Sequence, residues 1–145
     1  MRTAEITPRP IDPQDALRRV ASERDGAVLL FLGTVRDEND GRPVRGLRYD
    51  AYAEMAESVL REIVAEAGVR FGIERLHAVH RTGELALGDV SVAIAVASPH
   101  RGSAYDASRY VIEEIKQRLP VWKHEHYAEG DSRWLAGQVP PPVTG

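Results

Sequence analysis

The chain has 145 residues, 43% of them apolar and 28% charged, with a formal net charge of −3. That is the make-up of one globular domain with a real core, and it excludes a surface that gathers nucleic acid by charge alone. Cysteine is absent, which excludes disulfides, thiolate metal sites and a cysteine nucleophile of the chain's own. No apolar run approaches the ~20 residues of a membrane span, and no apolar core follows Met1-Arg2-Thr3-Ala4-Glu5 as in a signal peptide, so a cytoplasmic protein is expected.

Asp12-Pro13-Gln14-Asp15 predicts a helix start: Asp12 caps, Pro13 suits the first helical position and Asp15 complements the first turn. That helix is expected to end near Asp25-Gly26. Ala27 to Val35 is a nearly continuous apolar run, too short for most helices, and predicts a buried strand. Asp37 to Gly41 reads as a polar loop. Val44 to Tyr52 alternates, with Val44, Gly46, Arg48 and Asp50 on one face and Arg45, Leu47, Tyr49 and Ala51 on the other, which predicts a strand with one polar-leaning face.

Glu54 to Phe71 has helical spacing, with Met55, Val59, Ile63 and Ala67 as a stripe flanked by Leu60 and Val64; Gly72 ends it. Leu76 to Arg81 and Val90 to Ala97 predict strands joined by a turn around Leu87-Gly88-Asp89. Ser103 is expected to cap the next helix, with Asp106 completing a pair like a capping box. Ala104, Ala107, Val111 and Ile115 form its buried stripe, and Pro120 stops it. Trp122 to Tyr127 and Arg133 to Leu135 predict a short hairpin around Glu129-Gly130-Asp131. Residues 139–145 are proline-rich and expected to be poorly ordered, leaving a single domain over residues 1–138. Helices that alternate with pairs of strands predict an α+β fold, an α/β sandwich with a mainly antiparallel sheet, rather than a doubly wound parallel one.

The chemistry concentrates between His100 and Glu125. His100 and Arg101 stand just before a predicted helix, whose N-terminus offers unpaired N–H groups and partial positive charge, so together they make a candidate anion site. The plainer reading is that Arg101 pairs with a surface carboxylate while His100 packs. Lys116 falls near that helix's end, where lysine also serves simply to complement the dipole. Lys123 follows Trp122 in an apolar Pro-Val-Trp setting, where partial burial would depress its pKa towards a catalytic range. Ser103 and Lys116 are separated by roughly 20 Å along a helix, so one phosphate cannot bridge the two groups within a chain. Either they serve separate sites or a symmetric dimer brings them together. Arg36 closes a predicted strand and opens a loop, a common place for a site residue and equally for a solvated arginine. The histidine pairs His77/His80 and His124/His126 lack a metal-ligand pattern, no phosphate-binding glycine motif is present, and no metal or resident cofactor is expected.

Several motifs stand in order: Gly33-Thr34-Val35-Arg36-Asp37, Leu47-Arg48-Tyr49-Asp50-Ala51-Tyr52, His80-Arg81-Thr82-Gly83-Glu84-Leu85, Ser98-Pro99-His100-Arg101, Lys116 through Pro120-Val121-Trp122-Lys123-His124-Glu125, and Gly130-Asp131-Ser132-Arg133-Trp134. In this set, over residues 26–135, the chain resembles the large, catalytic subunit of molybdopterin synthase. The resemblance implies a hammerhead-like α+β fold and a sulfurtransferase that converts cyclic pyranopterin monophosphate into molybdopterin by building a dithiolene. Sulfur would arrive as a thiocarboxylate on the C-terminal Gly-Gly of a small ubiquitin-like partner, within a heterotetramer built on a homodimer of large subunits. By motif position Lys116 matches the family lysine nearest the incoming tail, and Lys123 the second family lysine; Arg36, His100 and Arg101 would bind the substrate's phosphate. The resemblance also implies a pocket shared between subunits. His124 and Arg48 depart from residues common among relatives, and the end Val143-Thr144-Gly145 is not that of the sulfur carrier. The competing expectation is a non-catalytic module that binds a ubiquitin-like partner or a phosphorylated ligand; a phosphate-ester hydrolase lacks an evident metal site or nucleophile.

Overall fold

The computed structural model describes residues 1–128 and 132–134. The elements run β1 (Arg2–Thr7), α1 (Pro13–Val20), β2 (Ala27–Thr34), β3 (Glu38–Asn39), β4 (Arg42–Ala51), α2 (Ala53–Phe71), β5 (Arg75–Arg81), β6 (Gly83–Ala86), β7 (Val90–Ser98), α3 (Arg101–Arg118), β8 (Val121–Tyr127) and β9 (Ser132–Trp134). The α+β expectation holds, with the strands divided between two sheets. The first has the order β1-β5-β7-β2; the second runs β3-β4-β8-β9, with β6 also paired to β4. Pairing is antiparallel throughout except between β1 and β5.

Strand β7 shows why the first sheet sits between layers. Val92, Ile94 and Val96 join the core formed with α2 and α3, whereas Ala93, Ala95 and Ala97 meet Ala16 and Val20 of α1 on the opposite face. Large side chains fill the wide layer, and alanines let the short helix approach closely. Burial on both faces accounts for the apolar residues at successive positions of β7 from Val92 to Ala97.

Several expectations are corrected. Strand β1 was not anticipated; it lies parallel to β5, and Arg2 crosses α2 at Gly68, where an added Cβ would lie 2.1 Å from the Arg2 Nε. Helix α1 has the expected Asp12 cap, with the carboxylate accepting from the Gln14 N–H, but stops at Val20. Beyond it the Ser22 hydroxyl accepts from the Arg24 N–H, a local turn that competes with helix. Strand β2 is an edge strand rather than a buried one: most of its residues are half-buried and Val28 is 51% exposed. In β4 a bulge between Val44 and Gly46 breaks the alternation, so Val44 is buried on the same strand as Leu47 and Tyr49.

In α2 the buried stripe is Ala56, Leu60, Ile63, Val64 and Ala67, turned away from the exposed Met55; Gly72 ends the helix in the left-handed conformation at φ 66°. Helix α3 begins at Arg101 with His100 as its N-cap residue, so Ser103 lies inside the first turn and caps nothing. Its buried stripe is as expected, and it ends before Pro120. The polar loop contains β3, turned into β4 by Asp40 and Gly41, both at positive φ. Strand β6 fills the segment read only as a connection. The β8–β9 hairpin forms; its expected turn at residues 129–131, Leu135 and the proline-rich tail lie outside the described residues. No described helix is long and apolar enough to cross a membrane.

Candidate active site

A pocket of about 120 Å³ opens where the two sheets and the end of α3 converge. Arg36, Lys116 and Lys123 line it together, each from a different element. A bulge between Gly33 and Thr34 ends the pairing of β2 with β7 and redirects the chain towards Arg36. Gly33 is required there, because a Cβ would lie 2.6 Å from a Val92 methyl group. Lys116 comes from the last turns of α3, beside Ile112 and Ile115 of the same wall. Lys123 comes from β8, directly across from Tyr49 on β4.

Burial pushes the Lys123 ammonium's pKa down; Glu125 raises it, while Lys116 and Arg36 lower it further. Besides the exposed Glu38, the pocket's lining includes Tyr49, His80, Ser91, Asn39 and Glu125. Tyr49 is pushed up to about 12, first by burial, against a hydrogen bond with Ser91. His80 is pushed down to about 4 by burial. Its Nδ1 lies 2.9 Å from the Arg81 carbonyl oxygen, which can only accept, so the proton sits on Nδ1 and Nε2 is left as an acceptor. The rings of Tyr49 and His80 meet edge to face at 4.9 Å. The Glu125 carboxylate is 4% exposed and accepts from the Asn39 amide at 2.8 Å. Such an arrangement offers clustered cations for an anionic substrate and a lysine whose charged form burial disfavours, beside a tyrosine and a histidine that burial keeps neutral near pH 7.

His100 and Arg101 are not in this pocket. Both are exposed at the opposite end of α3, roughly 22 Å from Lys116 at ~1.5 Å per residue. The sequence thus named three residues that the fold brings together and two that it keeps apart within one chain. Glu125, Asn39, Tyr49, His80 and Ser91 were not anticipated as site residues. The available signal was the alternation Lys123-x-Glu125 in a strand, which sets both side chains on one face. Elsewhere, the His124 and His126 rings lie 5.3 Å apart, and His126 Nε2 is 2.9 Å from a Glu84 carboxylate oxygen. Among the described residues no group of three His, Asp or Glu side chains is placed to hold a metal.

The MoaE protein family model matches residues 6–118. The molybdopterin synthase catalytic subunit of Thermoplasma volcanium is 42% identical over 130 residues, covering 90% of this chain and 95% of the relative. The crystal structure of molybdopterin synthase from Staphylococcus aureus superposes with a TM-score of 0.86 at 38% identity, over 92% of this chain and 96% of that one. The complex of subunits 1 and 2 of molybdopterin-converting factor from Helicobacter pylori shares the fold, with a TM-score of 0.75 at 22% identity over 98% and 95%. Together with the pocket, these likenesses show that the chain belongs to the MoaE family, the catalytic subunits of molybdopterin synthase, an enzyme of molybdenum cofactor biosynthesis.

Proposed function

We propose that this chain builds the dithiolene of molybdopterin from cyclic pyranopterin monophosphate, taking sulfur from the C-terminal thiocarboxylate of a small ubiquitin-like partner. The observation that carries this reading is the convergence of Arg36, Lys116 and Lys123 on one pocket. A phosphate ester and a thiocarboxylate are both anions, and cations gathered on one pocket, two of them half-buried, stabilise them and the oxyanion that develops as sulfur is transferred. Lys116 receives the carrier's tail, either stabilising the oxyanion or linking transiently to the carrier. Lys123, with its lowered pKa, serves as proton donor and acceptor or as substrate anchor. The small-subunit partner agrees with the two-subunit complex described for the Helicobacter pylori relative. A cytoplasmic setting goes with the same reading.

The reading includes a homodimer in which His100 and Arg101 of the partner subunit complete the phosphate site. Support comes from the free edge of the first sheet. Strand β2 begins at Ala27, opposite Ser98 and so two residues from His100, and it ends beside the Arg36 pocket. Two copies of this edge, paired antiparallel about a two-fold axis, set the start of one β2 against the end of the other. A shallow apolar groove of Leu29, Leu30, Phe31, Tyr105 and Ile112 runs alongside. The exposed Val28 and the half-buried residues of β2 are the surface such a pairing would cover.

Reconstitution tests the function. This chain, a thiocarboxylated carrier and cyclic pyranopterin monophosphate are mixed, and dithiolene formation is followed by mass spectrometry with Lys116→Ala alongside. Product from the unaltered chain and little from the variant is expected. A stable complex with the carrier but no product from either would leave a binding module in its place.

A further inference from the structure

The carboxylate of Glu125 is a costly group to bury, and the fold spends a hairpin on holding it. Glu125 lies on the inward face of β8 with Val121, Lys123 and Tyr127. Its register partner on β4 is Leu47, an apolar neighbour that offers the carboxylate no hydrogen bond. The Asn39 amide donates to its Oε1 at 2.8 Å from 86 residues away in the chain. Asn39 is held in turn by the tight β3–β4 hairpin. It pairs with Arg42 across a two-residue turn, Asp40-Gly41, whose φ angles of 51° and 77° suit a primed turn. The turn therefore fixes where the amide points.

Resting on the reading of Lys123 as a working group of the pocket, we infer that Asn39 is a positioning residue: it acts through Glu125, locking that carboxylate on the Lys123 side of the site. Lys123 and Glu125 are two residues apart on one strand face, close enough for the carboxylate to favour the lysine's charged form. Burial, Lys116 and Arg36 all push the other way. The other titratable groups of the pocket are Glu38, Tyr49 and His80, and Arg133 holds the register position opposite Glu125 on β9. Burial holds Tyr49 up at about 12 and His80 down at about 4, so neither ring supplies charge near neutral pH; of the pocket's two carboxylates, Glu125 is the buried one and Glu38 is exposed. The charge of Lys123 is thus tuned from the β3–β4 hairpin, through the hydrogen bond that Asn39 gives Glu125.

The test reads Lys123 directly. The ε-carbon of Lys123 is titrated by ¹³C NMR in the unaltered chain, Asn39→Ala, Glu125→Gln and the double variant. Glu125→Gln is expected to lower the lysine's pKa by about one unit, the size of a close opposite charge. Asn39→Ala is expected to lower it by a smaller amount, and to change nothing further in the Glu125→Gln background, because it acts only through that carboxylate. The alkaline limb of the turnover profile should move down by the same amounts. An unchanged Lys123 in Asn39→Ala, or an equal drop in both backgrounds, overturns the inference. The titration needs neither substrate nor carrier. Failure of the proposed reaction therefore shows in the reconstitution, and failure of this inference shows in the titration.

Discussion

Helix α3 carries basic residues at both ends, and the two ends are different places. At its start His100 and Arg101 are exposed, with the N-terminal N–H groups of the helix beside them. Near its finish Lys116 is half-buried in a pocket that also holds Arg36 and Lys123. The exposed end suits capture of an anion from solution. The enclosed end, where charges interact more strongly than in water, suits chemistry. A single anion cannot span the two ends within one chain, so one helix supplies binding and reaction only if a second copy closes the gap.

Substitutions sharpen that contrast, beginning with the largest effect. Lys116→Ala should lower turnover by about 100-fold or more, the usual loss for a group that stabilises a developing oxyanion. Its thermal stability should stay within about 0.5 kcal/mol, since the side chain is not part of the core. A variant that unfolds instead would assign Lys116 a structural role.

The pocket end also depends on a histidine that stays neutral. His80 has its pKa pushed down to about 4 by burial, against about 6.5 for an exposed histidine. Below about pH 6.5 the unfolded chain takes up this proton and the folded chain does not, so stability is lost as pH falls from about 6.5 to 4. The loss is roughly 1.4 kcal/mol per pH unit at most for this one group. Urea unfolding at pH 7 and at pH 4.5 measures it. His80→Gln should flatten the difference, and an identical difference in both chains would contradict the burial argument.

At the open end, Arg101→Ala should raise KM about 10-fold with little change in kcat, the worth of one charged hydrogen bond to phosphate. A fall in kcat alone would place Arg101 in the reaction rather than in capture. Away from both ends, Arg61 on α2 pairs with Glu57 one turn earlier in view of solvent. Its replacement by alanine should shift stability by no more than about 0.5 kcal/mol and leave turnover unchanged.

The same contrast explains what the sequence made legible. Helices α2 and α3 follow from their helical period, and strands β2, β5 and β7 from short runs rich in apolar residues, because each engages the core over many residues. Strands β3 and β6 span two and four residues, too few for a pattern to emerge. The fault over Ser103 arose because a hydroxyl marks a cap only where the preceding chain is extended; here Pro99 and His100 already supply that turn.

In the site, the cations were readable as unusual residues at element ends. Their neutral and paired surroundings were not. Asn39 and Glu125 are unremarkable in sequence and gain meaning from a contact across 86 residues. Burial of His80 and Tyr49 likewise depends on which layers cover β4 and β5.

The central claim, that the two ends of α3 meet across a dimer, has a direct measurement. Lys116→Ala and Arg101→Ala chains are mixed, allowed to exchange subunits, and assayed with carrier and substrate. In a shared site one pocket of each mixed dimer is intact, so with substrate held well below KM, where both variants are slow, an equal mixture should recover about a quarter of the unaltered activity, above either variant alone. Activity that remains the average of the two variants would contradict the account and confine each site to a single chain.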